Sequence, residues 1–160
     1  GRGVGEIAVG LGFGPLMVLG TVIVLTGEVD FVSFLAGVPI GFLIMLVLYI
    51  NQFPDMEADA SVGKNHWVVR LGRKKASIGY PIVLVATYLF VILAVLLNWL
   101  PWLSLLFLLT IPLAIKASKI VINNYDNVGA LIPAQAMTIQ VHLIGGLMLS
   151  AGIALNGYLF

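Results

Sequence analysis

The chain has 160 residues, of which 61% are hydrophobic and 9% charged, with a formal net charge of +1 and no cysteine. Soluble domains carry roughly a quarter of their residues as charged side chains, so a water-soluble globular protein is excluded and an integral membrane protein is expected. The missing cysteines rule out disulfides, thiolate metal sites and a cysteine nucleophile, and no nucleic-acid partner is expected.

Five apolar runs occupy residues 7–26, 31–50, 78–97, 99–115 and roughly 133–155, each close to the ~20 residues that a helix needs to cross a bilayer. The fold class is therefore all-α, a polytopic transmembrane bundle of about five spans forming a single membrane domain over 1–160. A transmembrane barrel would alternate apolar and polar residues, whereas Ile40 to Ile50 is apolar throughout. No short apolar core with a small-residue cleavage site opens the chain, so the first run is expected to stay in the membrane. Within it, Gly10, Gly12 and Gly14 have no preceding strand and read as close helix packing rather than a nucleotide loop. Pro15, Pro39 and Pro112 are expected to kink their spans. Gly27 to Asp30 and Asn98 to Pro101 form short turns on one side of the membrane.

If the five spans alternate, Arg2, the 51–77 segment and the 116–130 segment share the other side, which then holds every Lys and Arg. The side with Glu28 and Asp30 has no base. The positive-inside rule places the basic side, and with it the 51–77 loop, in the cytoplasm.

That loop carries the chemistry. Residues 55 to 75 contain Asp55, Glu57, Asp59, Lys64, Arg70, Arg73, Lys74 and Lys75, and ionisable groups beside membrane spans are costly enough to mark function. Asn51, Asp55 and Asp59 are spaced by four, which puts them on one face if the second span continues as helix beyond the membrane surface. Two converging carboxylates suit a hard divalent cation, and Mg2+ takes one or two of them and completes its shell with water and substrate phosphates. Lys64 and Arg70 follow within reach and can pair with phosphate oxygens. Glu57 should point away from the Asp face. Pro54 fits a helix start or kink, and Gly63 and Gly72 permit turns. Arg73-Lys74-Lys75, directly before the next span, reads as a membrane-flanking anchor.

Other polar residues are less specific. Gln135, Thr138 and His142 share one face of the last span, where polar side chains usually bond neighbouring helices. Asn123 to Asp126 could rim the site or be a solvated loop. Tyr49 and Phe53 read as apolar packing, with cation–π attraction to a bound cation as the alternative.

The string Asn51-x-x-x-Asp55-x-x-x-Asp59-x-x-Val62-Gly63-Lys64, followed by Val68-Val69-Arg70-Leu71-Gly72, resembles the second aspartate-rich motif of the UbiA superfamily of intramembrane prenyltransferases. It is most similar to the 1,4-dihydroxy-2-naphthoate branch of menaquinone synthesis. The resemblance continues through Gly5-Glu6, Phe13-Gly14-Pro15-Leu16 and Leu131-Ile132-Pro133-Ala134 to Thr138 and His142. Asn65-His66-Trp67 departs from it, since relatives more often carry a basic residue, Thr and Leu there. The resemblance implies a nine-helix fold of which this chain matches the C-terminal five, with the first aspartate-rich motif on missing N-terminal helices. It further implies Mg2+ held by Asp55 and Asp59, diphosphate contacts from Lys64, Arg70 and Asn51, and an aromatic acceptor for the isoprenyl group. The rivals are another UbiA-type branch (ubiquinone, chlorophyll or ether lipid), a non-catalytic membrane subunit, and half of a cation-coupled transporter. A transporter would place its acids near the midplane of the spans rather than in a loop.

Overall fold

The computed structural model describes residues 3–159; Arg2, counted above among the bases of one face, lies outside the described residues. Helix α1 (Gly5–Leu11) passes through a π-helical turn (Gly12–Leu16) into α2 (Met17–Thr26), and the three together form the first span. Helices α3 (Phe31–Ser61) and α4 (Trp67–Leu96) are the second and third. A 3-10 segment (Trp102–Thr110) leads into α5 (Ile111–Asn124) as the fourth, and α6 (Val128–Leu159) is the last. All five spans are long and apolar enough to cross a membrane, and the protein is an integral, multi-pass one. Residues such as Val24, Leu25, Ile82 and Leu147 lie exposed on its outside, where lipid rather than water is the natural solvent.

Helix α3 is the hub, packing against α1, α2, α4 and α6. Its buried side chains Leu43, Leu46, Ile50 and Phe53 join Tyr80 and Val91 of α4, Phe107, and Val121 and Leu131 of α5 and α6 in one core. Against α1 it packs backbone to backbone: a methyl group added at Gly14 would fall inside the main chain of Gly41 and Gly37, and one at Gly37 inside that of Pro15. Gly10 and Gly14 therefore belong to a glycine seam with Gly37 and Gly41, the packing role that their spacing implied. Pro15 sits in the π-helical turn, where the extra residue per turn relieves the carbonyl that proline cannot bond. Pro112 lies in the first turn of α5 at the switch from 3-10 to α-helix, while Pro39 and Pro54 are inside α3.

Interhelical hydrogen bonds pair several of the polar side chains between the helices. Tyr80 and Thr138 join hydroxyls at 2.7 Å, and Tyr88 and Thr110 at 2.8 Å. Gln135 donates to Asn51 Oδ1 at 3.0 Å. Two of the three polar positions singled out on α6 thus tie it to its neighbours, as expected for membrane helices. The Nδ1 of the third, His142, is buried without a hydrogen-bond partner among the described residues.

The turns at residues 27–30 and 97–101 are short, as expected. Gly27 adopts φ +76° as the left-handed cap of α2, and Asp30 caps α3 by accepting from the Val32 and Ser33 amides. The 51–77 segment differs from the loop expected there: α3 runs on to Ser61 and α4 begins at Trp67, leaving residues 62–66 between them. The apolar pattern ends at the membrane surface, but the backbone ladder continues because each further residue adds a hydrogen bond without a new nucleation cost. Helix α4 is broken at Gly72, whose φ 73°, ψ 152° is not helical.

Candidate active site

The turn from α3 to α4 is built by the sequence Asp59-Ala60-Ser61-Val62-Gly63-Lys64. Gly63 takes φ +75°, the left-handed conformation that glycine enters without Cβ strain. Its N–H bonds the Ala60 carbonyl at 3.1 Å and the Lys64 N–H bonds the Asp59 carbonyl at 3.0 Å, the paired closure of a Schellman motif. This closure folds Lys64 back over the last turn of α3, and its Nζ reaches Asp59 Oδ1 at 2.6 Å. The Asp59 carboxylate, with a smaller contribution from Asp55, holds the Lys64 ammonium above its ordinary pKa. The spacing of Asp59 and Gly63-Lys64 is thus a local device that sets a counter-ion on the second aspartate.

His66 completes the clasp. It caps α4, its Nδ1 accepting the Val69 amide at 3.3 Å, which leaves the imidazole proton on Nε2. Nε2 lies 3.2 Å from Asp59 Oδ2, too poorly aligned for a hydrogen bond, so the contact is electrostatic. Both oxygens of Asp59 therefore face a donor-bearing group.

Asn51, Asp55, Asp59 and Lys64 line one cavity of about 360 Å3 at this end of the bundle. The helical continuation of α3 makes the four-residue spacing effective. Asn51 is oriented by Gln135, which occupies its carbonyl and leaves its NH2 group as donor. Arg70 is not part of that lining; it lies in the short stretch of α4 before the Gly72 break. Glu57 points away, as expected, and its Oε1 accepts from Arg73 Nη1 at 3.0 Å. Arg73 also donates from Nε to the Phe53 carbonyl at 3.1 Å and is mostly buried. It is a cross-link between α3 and α4, unlike the exposed Lys74 and Lys75 with which the sequence groups it. Tyr49 and Phe53 are core residues: their rings meet edge-on at 5.9 Å, and the Tyr49 hydroxyl donates to the Ala76 carbonyl at 3.0 Å. Asp126 lies 3.9 Å from Arg73 at the end of the bundle that holds the cavity.

Two residues to which the sequence assigned no role in the site, Glu6 and Gln52, reach the cavity wall. Glu6, 1% exposed, accepts from the Trp67 amide at 2.7 Å and from Gln52 Nε2 at 3.1 Å. Gln52 is 8% exposed, and its Oε1 has no hydrogen-bond partner among the described residues. The signal was present in both, an acid at the head of an apolar run and an amide at the end of another, and polar groups so placed are expensive enough to be retained for a reason.

Among the described residues no group of three or more His, Asp or Glu could hold a metal ion by itself. The pair Asp55 and Asp59 nevertheless fits Mg2+, which uses few protein carboxylates and relies on phosphate oxygens for the rest.

The described residues thus form an all-helical bundle of membrane-spanning length with a carboxylate-lined cavity at one end. Residues 2–132 match the UbiA prenyltransferase family, and the chain belongs to that family. It is similar to a 2-carboxy-1,4-naphthoquinone phytyltransferase of Synechocystis sp., with 25% identity over 97% of this chain and 50% of the relative. It is likewise similar to a 1,4-dihydroxy-2-naphthoate octaprenyltransferase of Haemophilus influenzae, with 31% identity over 96% and 50%. A Mycobacterium leprae protein of that same name is 36% identical over 74% and 39%. The chain spans about half the length of the curated relatives it matches. No solved structure matches it.

Proposed function

We propose that the chain contributes the second aspartate-rich motif of a Mg2+-dependent prenyltransferase that transfers an isoprenyl group from its diphosphate to 1,4-dihydroxy-2-naphthoate, a step in making menaquinone. The observation that carries this reading is the convergence of Asn51, Asp55, Asp59 and Lys64 on one cavity at the end of an apolar bundle. The names of the relatives supply the acceptor class. The first aspartate-rich motif and its helices would come from the rest of the enzyme, whether joined to this chain or separate. The motif end of the bundle faces the cytoplasm in this proposal, because the described Lys and Arg residues collect there.

In that enzyme Asp55 and Asp59 hold Mg2+, which supplies charge neutralisation of the diphosphate when bound. Loading requires Lys64 to leave Asp59 Oδ1 for a phosphate oxygen, a short swing for an exposed lysine. Asn51, with its carbonyl occupied by Gln135, offers N–H donors to the diphosphate. Arg70, at the same end of the bundle, adds positive charge to the leaving group. The allylic C–O bond breaks with its electron pair going to the diphosphate, a carbon of the acceptor ring bonds the allylic carbon in its place, and the ring regains aromaticity by releasing a proton from that carbon, or CO2 where that carbon bears the carboxylate. The apolar interior keeps water from capturing the cation.

The test is prenyl transfer by the complete enzyme in membranes. Asp55→Ala and Asp59→Ala should each lower Mg2+-dependent turnover by a factor of about 100 or more, in the range for loss of a transition-state charge partner, while Glu57→Ala retains most activity. Retained turnover in Asp59→Ala would sink the assignment.

A further inference from the structure

The cavity has a second polar wall that the diphosphate does not need. Gln52, Asp55 and Asp59 follow one another at i, i+3 and i+7 on α3, so Gln52 lies about one turn, roughly 4.5 Å, further into the membrane than Asp55. Its amide cannot choose its orientation. Glu6 Oε1 is an acceptor at 3.1 Å and takes the NH2 group, which fixes Oε1 as the end left over. That oxygen is buried and unpartnered among the described residues, although Gln52 and Glu6 both line the cavity. A buried acceptor without a donor is costly, and nearly all such groups in folded proteins find one.

We propose that Gln52, braced by Glu6, is the acceptor-recognition group of this site and takes a hydrogen bond from a ring hydroxyl of the aromatic substrate. The inference rests on the prenyl-transfer reading above. The residues of this wall are a carboxylate and an amide whose oxygen lacks a donor among the described residues, so the wall favours O–H donors over a carboxylate, and the hydroxyl edge of the ring turns toward it. The position suits the chemistry. The ring must meet the allylic carbon, which is one oxygen away from the phosphorus held at Asp55 and Asp59, and Gln52, one helical turn below Asp55 and two below Asp59, lies on the membrane side of the pair, toward which the isoprenyl chain extends. A site built to bond a hydroxyl rejects an analogue lacking it far more strongly than an apolar pocket does.

The experiment measures binding of 1,4-dihydroxy-2-naphthoate, 1-hydroxy-2-naphthoate and 4-hydroxy-2-naphthoate to the complete enzyme in detergent, with a non-hydrolysable prenyl diphosphate analogue and Mg2+ present. The wild type should bind one of the two monohydroxy compounds at least about tenfold more weakly than the dihydroxy compound. Gln52→Leu should cut that ratio to about twofold or less, while its affinity for the prenyl diphosphate analogue stays within about twofold of wild type, which reports that the variant is folded. Should Gln52→Leu not bind the diphosphate analogue, Gln52→Met, closer in shape, carries the comparison. An unchanged tenfold ratio in the folded variant overturns the assignment, as does a wild type that binds all three compounds equally. If the wild type binds the diphosphate analogue but none of the naphthoates, the acceptor class itself is wrong. That failure is distinct from a misassigned Gln52.

Discussion

At the residue scale the second aspartate of the site is already answered by its neighbours. Asp59 holds Lys64 on one oxygen and faces His66 on the other, so its resting carboxylate is a paired one. Because Asp59 raises the pKa of Lys64, its amine stays protonated to higher pH than a free lysine. At pH 9 an amine-directed acetylating reagent should modify Lys64 several-fold more slowly than Lys74 or Lys75, each unit of pKa being worth a factor of ten in free amine. Asp59→Asn should erase the difference; mass-spectrometric labelling rates check both. Equal rates at the three lysines in the parent protein would show that the ion pair does not persist in solution. The residue types of the cavity were legible because Asn51, Asp55 and Asp59 recur every fourth position, a period with one structural meaning. Glu6 and His66 were not, because their partners lie 61 residues away at Trp67 and on the opposite side of a turn, and no local period encodes either contact.

At the scale of elements, the turn between α3 and α4 depends on a single backbone conformation. Gly63→Ala forces a side chain into the left-handed region, at about 1–2 kcal/mol, and loosens the closure that folds Lys64 onto Asp59. Thermal unfolding in detergent should fall by a few degrees and the affinity for prenyl diphosphate should drop. Gly63→Asn, which tolerates that region, should do much less. Arg73 belongs to this scale too. Its bonds to the Phe53 carbonyl and to Glu57 join α3 to α4, and a charge-assisted hydrogen bond contributes about 1.5–3 kcal/mol. Arg73→Met should therefore destabilise the protein by roughly 1–2 kcal/mol, against about 0.5 or less for Lys74→Met or Lys75→Met at exposed positions, with unfolding midpoints as the measurement. The sequence makes these three bases look alike, since adjacency in a charge run carries no information about which member turns inward. For the same reason the boundaries of α3 and α4 were underestimated: hydropathy marks where the bilayer ends, and the helices end where glycine and the His66 cap stop them.

For the whole molecule, the five spans were the most legible feature, because a stretch of about 20 apolar residues has few alternatives. Orientation can be tested directly, since the chain has no cysteine of its own. A cysteine at Glu28 should react with an impermeant maleimide added outside intact cells, and one at Ser61 should react only after permeabilisation. Labelling of Ser61→Cys from outside would reverse the proposed topology. Gly14→Ala should destabilise the bundle by roughly 1–3 kcal/mol as an overpacked contact, read from the detergent unfolding midpoint, because the added methyl meets the Gly41 backbone. That glycine seam has a reach beyond its own contacts. Glu6, Gly10 and Gly14 stand four residues apart, so the carboxylate and the two glycines share one edge of the first span. Locking the glycines against α3 fixes the depth at which Glu6 meets Gln52 and the Trp67 amide. A slip of one residue between the two spans would lift Glu6 by about 1.5 Å and turn it by about 100°, out of reach of both. This close helix crossing thus works as a ruler, and what it measures off is the position of one buried carboxylate at the far end, beside the aspartates.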